Sequence, residues 1–297
     1  MHLKIGTRSS SLSLCQTYEA ISAIHTHYPN ITFDIVKIKT SCDIINNRPL
    51  YKIGGKGLFL KEIENALLKG EIDIAVHSMK DVPSVVNKEL IIDCILPRID
   101  ARDVFISYKY KSFSNLPKAA KIATSSPRRR AQLLKVRSDI NVVDIRGNID
   151  TRIEKLKKGQ ADALILAAAG LKRLKLEQHI NHYFQIDEML PTAGQGAIGI
   201  QRRKQDIKIK AVFDKINDLD TFNTVQCEKL FLKYLNGDCS TPIAVYSEIK
   251  SNCIITLKIS YITIDGKIEI YSAKQERMKD ISSFSKKAAE EILKLIP

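Results

Sequence analysis

Five side chains able to do chemistry follow one another at the end of an apolar run: His77, Ser78, Met79, Lys80 and Asp81, with Pro83 cutting off any continuation. A lysine beside an aspartate can hold a cation and a carboxylate facing one crevice. There the carboxylate accepts a hydrogen bond from an N–H or stabilises a developing positive charge. The bland alternative is a solvated ion pair that contributes little to stability, and for an isolated Lys-Asp it is the commoner one. The neighbours His77 and Ser78 tip the reading toward a site. Arginines supply a second constellation: Arg128, Arg129 and Arg130 follow Ser125-Ser126-Pro127, and Arg146 and Arg152 flank a turn a short way on. Planar guanidiniums favour bidentate recognition of carboxylate or phosphate. A third candidate is Cys239, in the turn-forming stretch Asn236-Gly237-Asp238-Cys239-Ser240-Thr241-Pro242. An exposed loop thiol is a candidate attachment point or nucleophile, although Asp238 beside it opposes strong activation.

The elements that must position these groups follow from periodicity. Ile72 to Val76 reads as a buried strand after a helix stop at Gly70, so His77 to Asp81 fall in the turn at its carboxyl end, where ligands sit in open α/β sheets. Before it, Leu3 to Gly6 reads as a strand. Thr7 to Ser11 then offers capping hydroxyls for a helix with Leu14, Tyr18, Ile21 and Ile24 inward. Ile31 to Thr40 alternates as a strand. The stretch from Ser41 through Gly54-Gly55-Lys56-Gly57 has the composition of a mobile loop, and Leu58 to Lys69 resumes as a helix with Ile63 and Leu67 inward. Parallel strands with crossover helices result. A boundary is expected at Pro97 to Asp103.

Beyond it the pattern repeats. Strands at Lys121 to Thr124, Val142 to Ile145 and Ala161 to Leu166 each lead into polar groups or glycine at a helix start, which makes three anion-receptive sites. Leu190-Pro191-Thr192-Ala193-Gly194-Gln195-Gly196 reads as a second hinge, after which Ala197 to Gln201 is expected to cross back to the first sheet and so form a two-lobed cleft. Past residue 216 come a helix, Thr221 to Leu235, and three strands, Ile243 to Ile249, Cys253 to Thr263 and Lys267 to Ala273. Asp265-Gly266 marks a hairpin between the last two, and Ile281 to Leu295 is a final amphipathic helix. The expected domains are therefore 1–96 with 197–215, 101–190, and 218–297.

Composition bounds the function. The 297 residues suit two or three domains. No apolar run approaches a membrane span, and the N-terminal MHLKIGTRSSS lacks a signal-peptide apolar region, so the expectation is a cytoplasmic protein with no membrane partner. The cysteines form no CxxC pair and have no histidine at zinc spacing, so no metal is expected. A net charge of +14 invites a polyanion. Nucleic acid is disfavoured because aromatic stacking partners and helix-turn-helix or zinc patterns are absent. Gly54-Gly55-Lys56-Gly57 lacks Walker A spacing, and no dinucleotide fingerprint occurs.

The segments TRSSSLSLCQ (Thr7 to Gln16), GGKGLFLKE (Gly54 to Glu62), DIAVHSMKDVP (Asp73 to Pro83), ATSSPRRR (Ala123 to Arg130), RGNIDTR (Arg146 to Arg152), LAAAGLKRL (Leu166 to Leu174), LPTAGQGAIGI (Leu190 to Ile200) and GDCSTP (Gly237 to Pro242) occur in the order found in one family. From Ile5 to about Ile243 the chain resembles the porphobilinogen deaminases, also called hydroxymethylbilane synthases. The resemblance implies an α/β fold of two lobes like those of type II periplasmic binding proteins around a central cleft, plus a small α+β C-terminal domain with a three-stranded antiparallel sheet. It implies a monomeric transferase that joins four porphobilinogens head to tail, with loss of ammonia, onto a dipyrromethane cofactor held as a thioether by Cys239. Hydrolysis then releases the linear tetrapyrrole.

Motif by motif, the resemblance makes Asp81 catalytic. It assigns Cys239, Lys80, Asp81, Ser126, Arg128, Arg129, Arg146 and Gly170 to the cofactor, and Arg8, Ser10, Gln16, Ser78, Arg146, Arg152, Arg173 and Gln195 to substrate. Lys52 and Lys56 would belong to a flap. Asp238 stands where the family commonly has glycine, Ser13 where it has alanine, and Arg130 extends the arginine pair. Read from the residues alone, two rivals stay open: a non-enzymatic two-lobed module binding a dicarboxylate or phosphate, which predicts an unmodified Cys239, and nucleic-acid binding driven by net charge.

Overall fold

The computed structural model describes residues 1–40, 60–236, 242–250 and 253–296. The expected flap residues Lys52 and Lys56, the glycine run between them, and Asp238 and Cys239 lie outside the described residues. The first lobe begins with β1 (His2–Arg8), α1 (Ser11–His27), β2 (Thr32–Ile38), α2 (Lys61–Leu68), β3 (Ile74–Ser78) and β4 (Leu90–Ile95). The chain then crosses to the second lobe: β5 (Asp103–Ile106), β6 (Lys121–Ala123), α3 (Pro127–Val136), β7 (Asn141–Val143), α4 (Ile149–Lys157), β8 (Ala163–Ala167), α5 (Ala168–Arg173) and β9 (His182–Tyr183). It returns as β10 (Ile198–Arg203).

The returning strand inserts antiparallel between β3 and β4, giving the order β2-β1-β3-β10-β4. The second sheet runs β7-β6-β8-β5-β9, with β5, the strand just arrived from the first lobe, antiparallel to β8. Each sheet thus holds one reversed strand delivered by a crossing, and the two crossings leave a cleft between the lobes. This is the two-lobed α/β arrangement with a central cleft expected from sequence. Strands β4 and β5 and the helix α6 (Ile207–Ile216), which closes the first core with Ile209, Val212 and Phe213, are additions to the pattern expected from sequence.

The C-terminal unit consists of α7 (Leu219–Tyr234), the antiparallel sheet β11 (Ile243–Lys250), β12 (Ile254–Ile262) and β13 (Glu269–Arg277), and α8 (Ile281–Leu293). Its core packs Phe231, Leu257, Ile259, Phe284 and Ile292 between helices and sheet. One fully buried carboxylate attaches it to both crossings: Glu228 of α7 accepts a bidentate pair from Arg98 (3.0 and 3.1 Å) and the backbone N–H of Gly194 (2.6 Å). The second crossing presses close. Gly196 has φ +89°, and a Cβ there would stand 2.5 Å from the carbonyl oxygen of Asp100.

Helix α1 departs from the expected stripe. Ser10 caps it through the N–H of Ser13 (3.2 Å), as its hydroxyl suggests. Its buried face, however, is Gln16, Thr17, Ala20 and Ile24, while Tyr18 is 61% exposed. A polar contact accompanies the rotation. The amide of Gln16 donates to the Ser78 hydroxyl (2.8 Å), so the face that reaches β3 is not the most apolar one. No helix among the described residues is long and apolar enough to cross a membrane.

Candidate active site

The turn after β3 is anchored by its one apolar member. Met79 is buried, its N–H donates to the Ala197 carbonyl (3.0 Å), and its side chain fills the space beside Gly194 and Gly199. The 3-10 turn Met79–Asp81 therefore hands Lys80 and Asp81 to the cleft. His77 and Ser78, expected in the turn, belong to the strand instead. Alternation along β3 sends their side chains to opposite faces: Ser78 meets Gln16 at the cleft, whereas His77 is buried behind it, with Nε2 3.0 Å from Gln201 Oε1. Gln201 Nε2 in turn donates to Glu64 of α2 (2.8 Å). Desolvation holds the His77 pKa down to about 4, against the opposing pulls of Gln201 and Asp81.

The facing wall is organised by a residue that sequence reasoning left in a turn. Asp103, the first residue of β5, is fully buried. Its Oδ2 accepts Arg128 Nη2 (2.6 Å), and its Oδ1 accepts Arg129 Nη2 (2.7 Å) and Gln195 Nε2 (2.9 Å). Burial raises its carboxyl pKa, the two guanidiniums outweigh that, and the result is about 2. Helix α3 presents these arginines because Ser126 accepts a bond from the Arg129 N–H and Pro127 fits the first helical position. Arg129 reaches the cleft wall. Arg128, Ser126 and Gln195, all expected there, are not among its lining residues: Arg128 turns back to the Leu190 carbonyl (2.6 Å) and Gln195 to that of Ala101 (2.6 Å). A motif read in one dimension does not say which neighbour faces inward.

The remaining expected residues gather around one space of about 730 Å³: Arg8, Ser10, Gln16, Ser78, Lys80, Asp81, Arg129, Arg146, Arg152, Gly170 and Arg173 all line it. Arg152 is fixed by its Nε to the Gly147 carbonyl (2.7 Å), and Arg173 spans the lobes to Glu19 of α1 (2.7 Å) and to the Gly196 carbonyl (3.2 Å). Gly170 lets α5 close on α4, since a Cβ there would lie 2.6 Å from Ile149 Cδ1. Lys155, which sequence reasoning passed over, joins the wall with its ammonium on the Arg146 carbonyl (2.9 Å). Its signal was available: it lies three residues after Arg152, on the same face of α4.

The cations crowd one another. Desolvation and then the charges of Arg129 and Arg146 lower the Arg152 pKa to about 10, and desolvation first, opposed by Asp81, lowers that of Lys80. A positive field of this density is relieved by an anionic ligand carrying several carboxylates, so the donor set fits an acid-bearing dipyrromethane. Among the described residues no group of three or more His, Cys, Asp or Glu could hold a metal ion.

A cleft between two α/β lobes, walled by fixed cations around a single Lys-Asp turn, defines a protein that takes up a polycarboxylate. Residues 3–211 match the description "Porphobilinogen deaminase, dipyromethane cofactor binding domain", and residues 222–294 match "Porphobilinogen deaminase, C-terminal domain". The chain is 46% identical over 265 residues to the porphobilinogen deaminase of Rickettsia bellii, covering 89% of this chain and 88% of that one. To that of Rickettsia canadensis it is 49% identical over 247 residues, covering 83% and 82%. Among solved structures, a periplasmic substrate-binding protein of an ABC transporter from Coxiella burnetii aligns with TM-score 0.46 at 14% identity, over 74% of this chain and 94% of that one. The chain belongs to the porphobilinogen deaminase family. It is accordingly a transferase of tetrapyrrole biosynthesis built around a dipyrromethane cofactor.

Proposed function

We propose that this chain condenses four porphobilinogen molecules head to tail in the cleft, at the Lys80-Asp81 turn, and releases the linear tetrapyrrole by hydrolysis. The observation that carries the assignment is the ring of fixed cations, Arg8, Lys80, Arg129, Arg146, Arg152 and Arg173, around the Asp81 carboxylate. Porphobilinogen bears an acetate and a propionate, so each addition brings two more carboxylates that such a wall can hold. When bound through Cys239, the dipyrromethane supplies the pyrrole carbon to which the first substrate is joined. In each addition the substrate's aminomethyl C–N bond breaks, ammonia leaves, a C–C bond forms and the acceptor carbon loses a proton. Asp81 accepts the pyrrole N–H, stabilises the cation left by ammonia and assists that proton transfer.

Lys80, Arg129, Arg146 and Gly170 hold the cofactor side of the cleft. Ser126 and Arg128 support it from behind, by capping α3 and by engaging Asp103. Arg8, Ser10, Gln16, Ser78, Arg146, Arg152 and Arg173 face substrate, and Gln195 braces the Asp103 cluster. Lys52 and Lys56 act from a flap. Residues 1–96 with 197–215, 101–190 and 218–297 serve as three domains of a cytoplasmic monomer.

Intact-mass measurement of protein from a host with a working pathway tests the assignment. A mass above the bare chain by one dipyrromethane, absent from Cys239→Ser, is expected together with porphobilinogen consumption. A bare-chain mass and no turnover would instead support a binding module.

A further inference from the structure

The Asp265-Gly266 turn of the C-terminal unit does more than join β12 to β13. Its tip lies against the C-terminal half of α3. Gly266 has φ +78°, and a Cβ there would stand 2.6 Å from the amide nitrogen of Lys135 and 2.8 Å from the carbonyl carbon of Leu134. Both neighbours are backbone, so no side-chain rearrangement could make room. Beside this contact Lys135 pairs with Glu269, at the start of β13.

A second link runs through the returning crossing. Gln132 Nε2 donates to the Leu190 carbonyl (3.0 Å) and Gln132 Oε1 accepts the Leu190 N–H (2.7 Å). The next carbonyl, that of Pro191, accepts the N–H of Val245 in β11 (3.0 Å). Between the two links α3 and the sheet pack incompletely. A cavity of about 280 Å³ separates Leu133 and Val136 of α3 from Ile262 and Tyr271 of the sheet, and the buried hydroxyl of Ser260 on its wall has no partner. Because this side is not filled, the face of α3 turned to the sheet is held by point contacts, while Leu133 and Leu134 pack the helix into the core of the second lobe.

The other end of the helix is pinned by Arg128 and Arg129 on Asp103. Six residues, about 9 Å of helix, separate Arg129 from Lys135. Asp103 thus fixes one end of α3, and the hairpin tip bears on the other. We infer that the β12–β13 hairpin positions Arg129 on the cleft wall through α3, with Gly266 and the Lys135–Glu269 pair as positioning residues for the reaction. This rests on the function proposed above, in which Arg129 holds the cofactor side of the site.

The test is a double-mutant comparison in loaded enzyme. Gly266→Ala forces the tip away from α3 and is expected to lower kcat/KM for porphobilinogen about fivefold, since displacements well under 1 Å at a positioning group are costly. In an Arg129→Lys background the same change is expected to lower it less than about twofold, because the group it acts through has already been altered. Lys267→Ala, on the solvent side of the hairpin, leaves kcat/KM unchanged. An equal loss in both backgrounds, or none in the wild-type background, overturns the inference. If Gly266→Ala does not fold, Lys135→Glu replaces it; combining that change with Glu269→Lys restores activity if positioning is the role, and failure to restore overturns it. Hydrogen exchange separates this inference from the assigned reaction. A wild-type protein inert toward porphobilinogen refutes the reaction, while exchange along α3 still reads whether the hairpin holds the helix: Gly266→Ala speeds it if so and leaves it unaltered if not.

Discussion

Asp103 is fully buried and carries one negative charge between two buried guanidiniums. Asp103→Asn would leave Arg128 and Arg129 buried without their counter-charge, a change that costs about 3–5 kcal/mol. Urea unfolding checks this, and a loss below about 1 kcal/mol would contradict the hub. His77 adds a pH dependence of known sign. The unfolded chain binds a proton below about 6.5, whereas the folded site resists until about 4, so stability falls as pH drops between those values and is unaffected above them. The fall amounts to roughly 3 kcal/mol at full extent. His77→Gln should flatten the curve in that window; parallel curves for variant and wild type would contradict the buried neutral imidazole. Residue chemistry was legible where type alone decides, as with Lys80, Asp81 and the arginine clusters. It was not legible where facing decides. Strand alternation buried His77, one helical step separated Arg128 from Arg129, and Asp103 hid in a segment, PRIDARD, whose composition reads as turn.

Element by element, the site depends on where helices start. The Ser126 hydroxyl caps α3 at the Arg129 N–H, so Ser126→Ala should cost about 1 kcal/mol in urea unfolding. A change within about 0.3 kcal/mol would show that the cap is idle. The elements themselves could largely be read from the chain. Glycine and proline around Leu190–Gly196 announced a crossing, and the strand that follows inserts antiparallel beside β3. Asp265-Gly266 announced the hairpin. Short strands escaped: β5 spans only Asp103–Ile106, and its charged first residue masks the pattern. The face of α1 differs from the apolar stripe because Gln16, by hydrogen bonding to Ser78 of β3, faces the sheet in a rotation that apolarity alone does not predict.

For the whole molecule, function rests on a field that no single residue makes. Two lobes, joined by crossings that Glu228 clamps, bring cations from β1, the turn after β3, α3, α4 and α5 to one space. Binding that depends on such a field is screened by salt. KM for porphobilinogen should therefore rise several-fold between about 0.05 and 0.5 M salt with kcat much less affected; a KM independent of salt would mean that the cations are structural. Within that field one carboxylate is given the chemistry. The most direct measurement is porphobilinogen consumption with ammonia release by cofactor-loaded wild type and Asp81→Asn side by side. The amide keeps the shape and loses the charge, and turnover about a hundredfold or more below wild type is expected at unchanged stability. Turnover within about tenfold of wild type would contradict the placing of the chemistry at the Lys80-Asp81 turn.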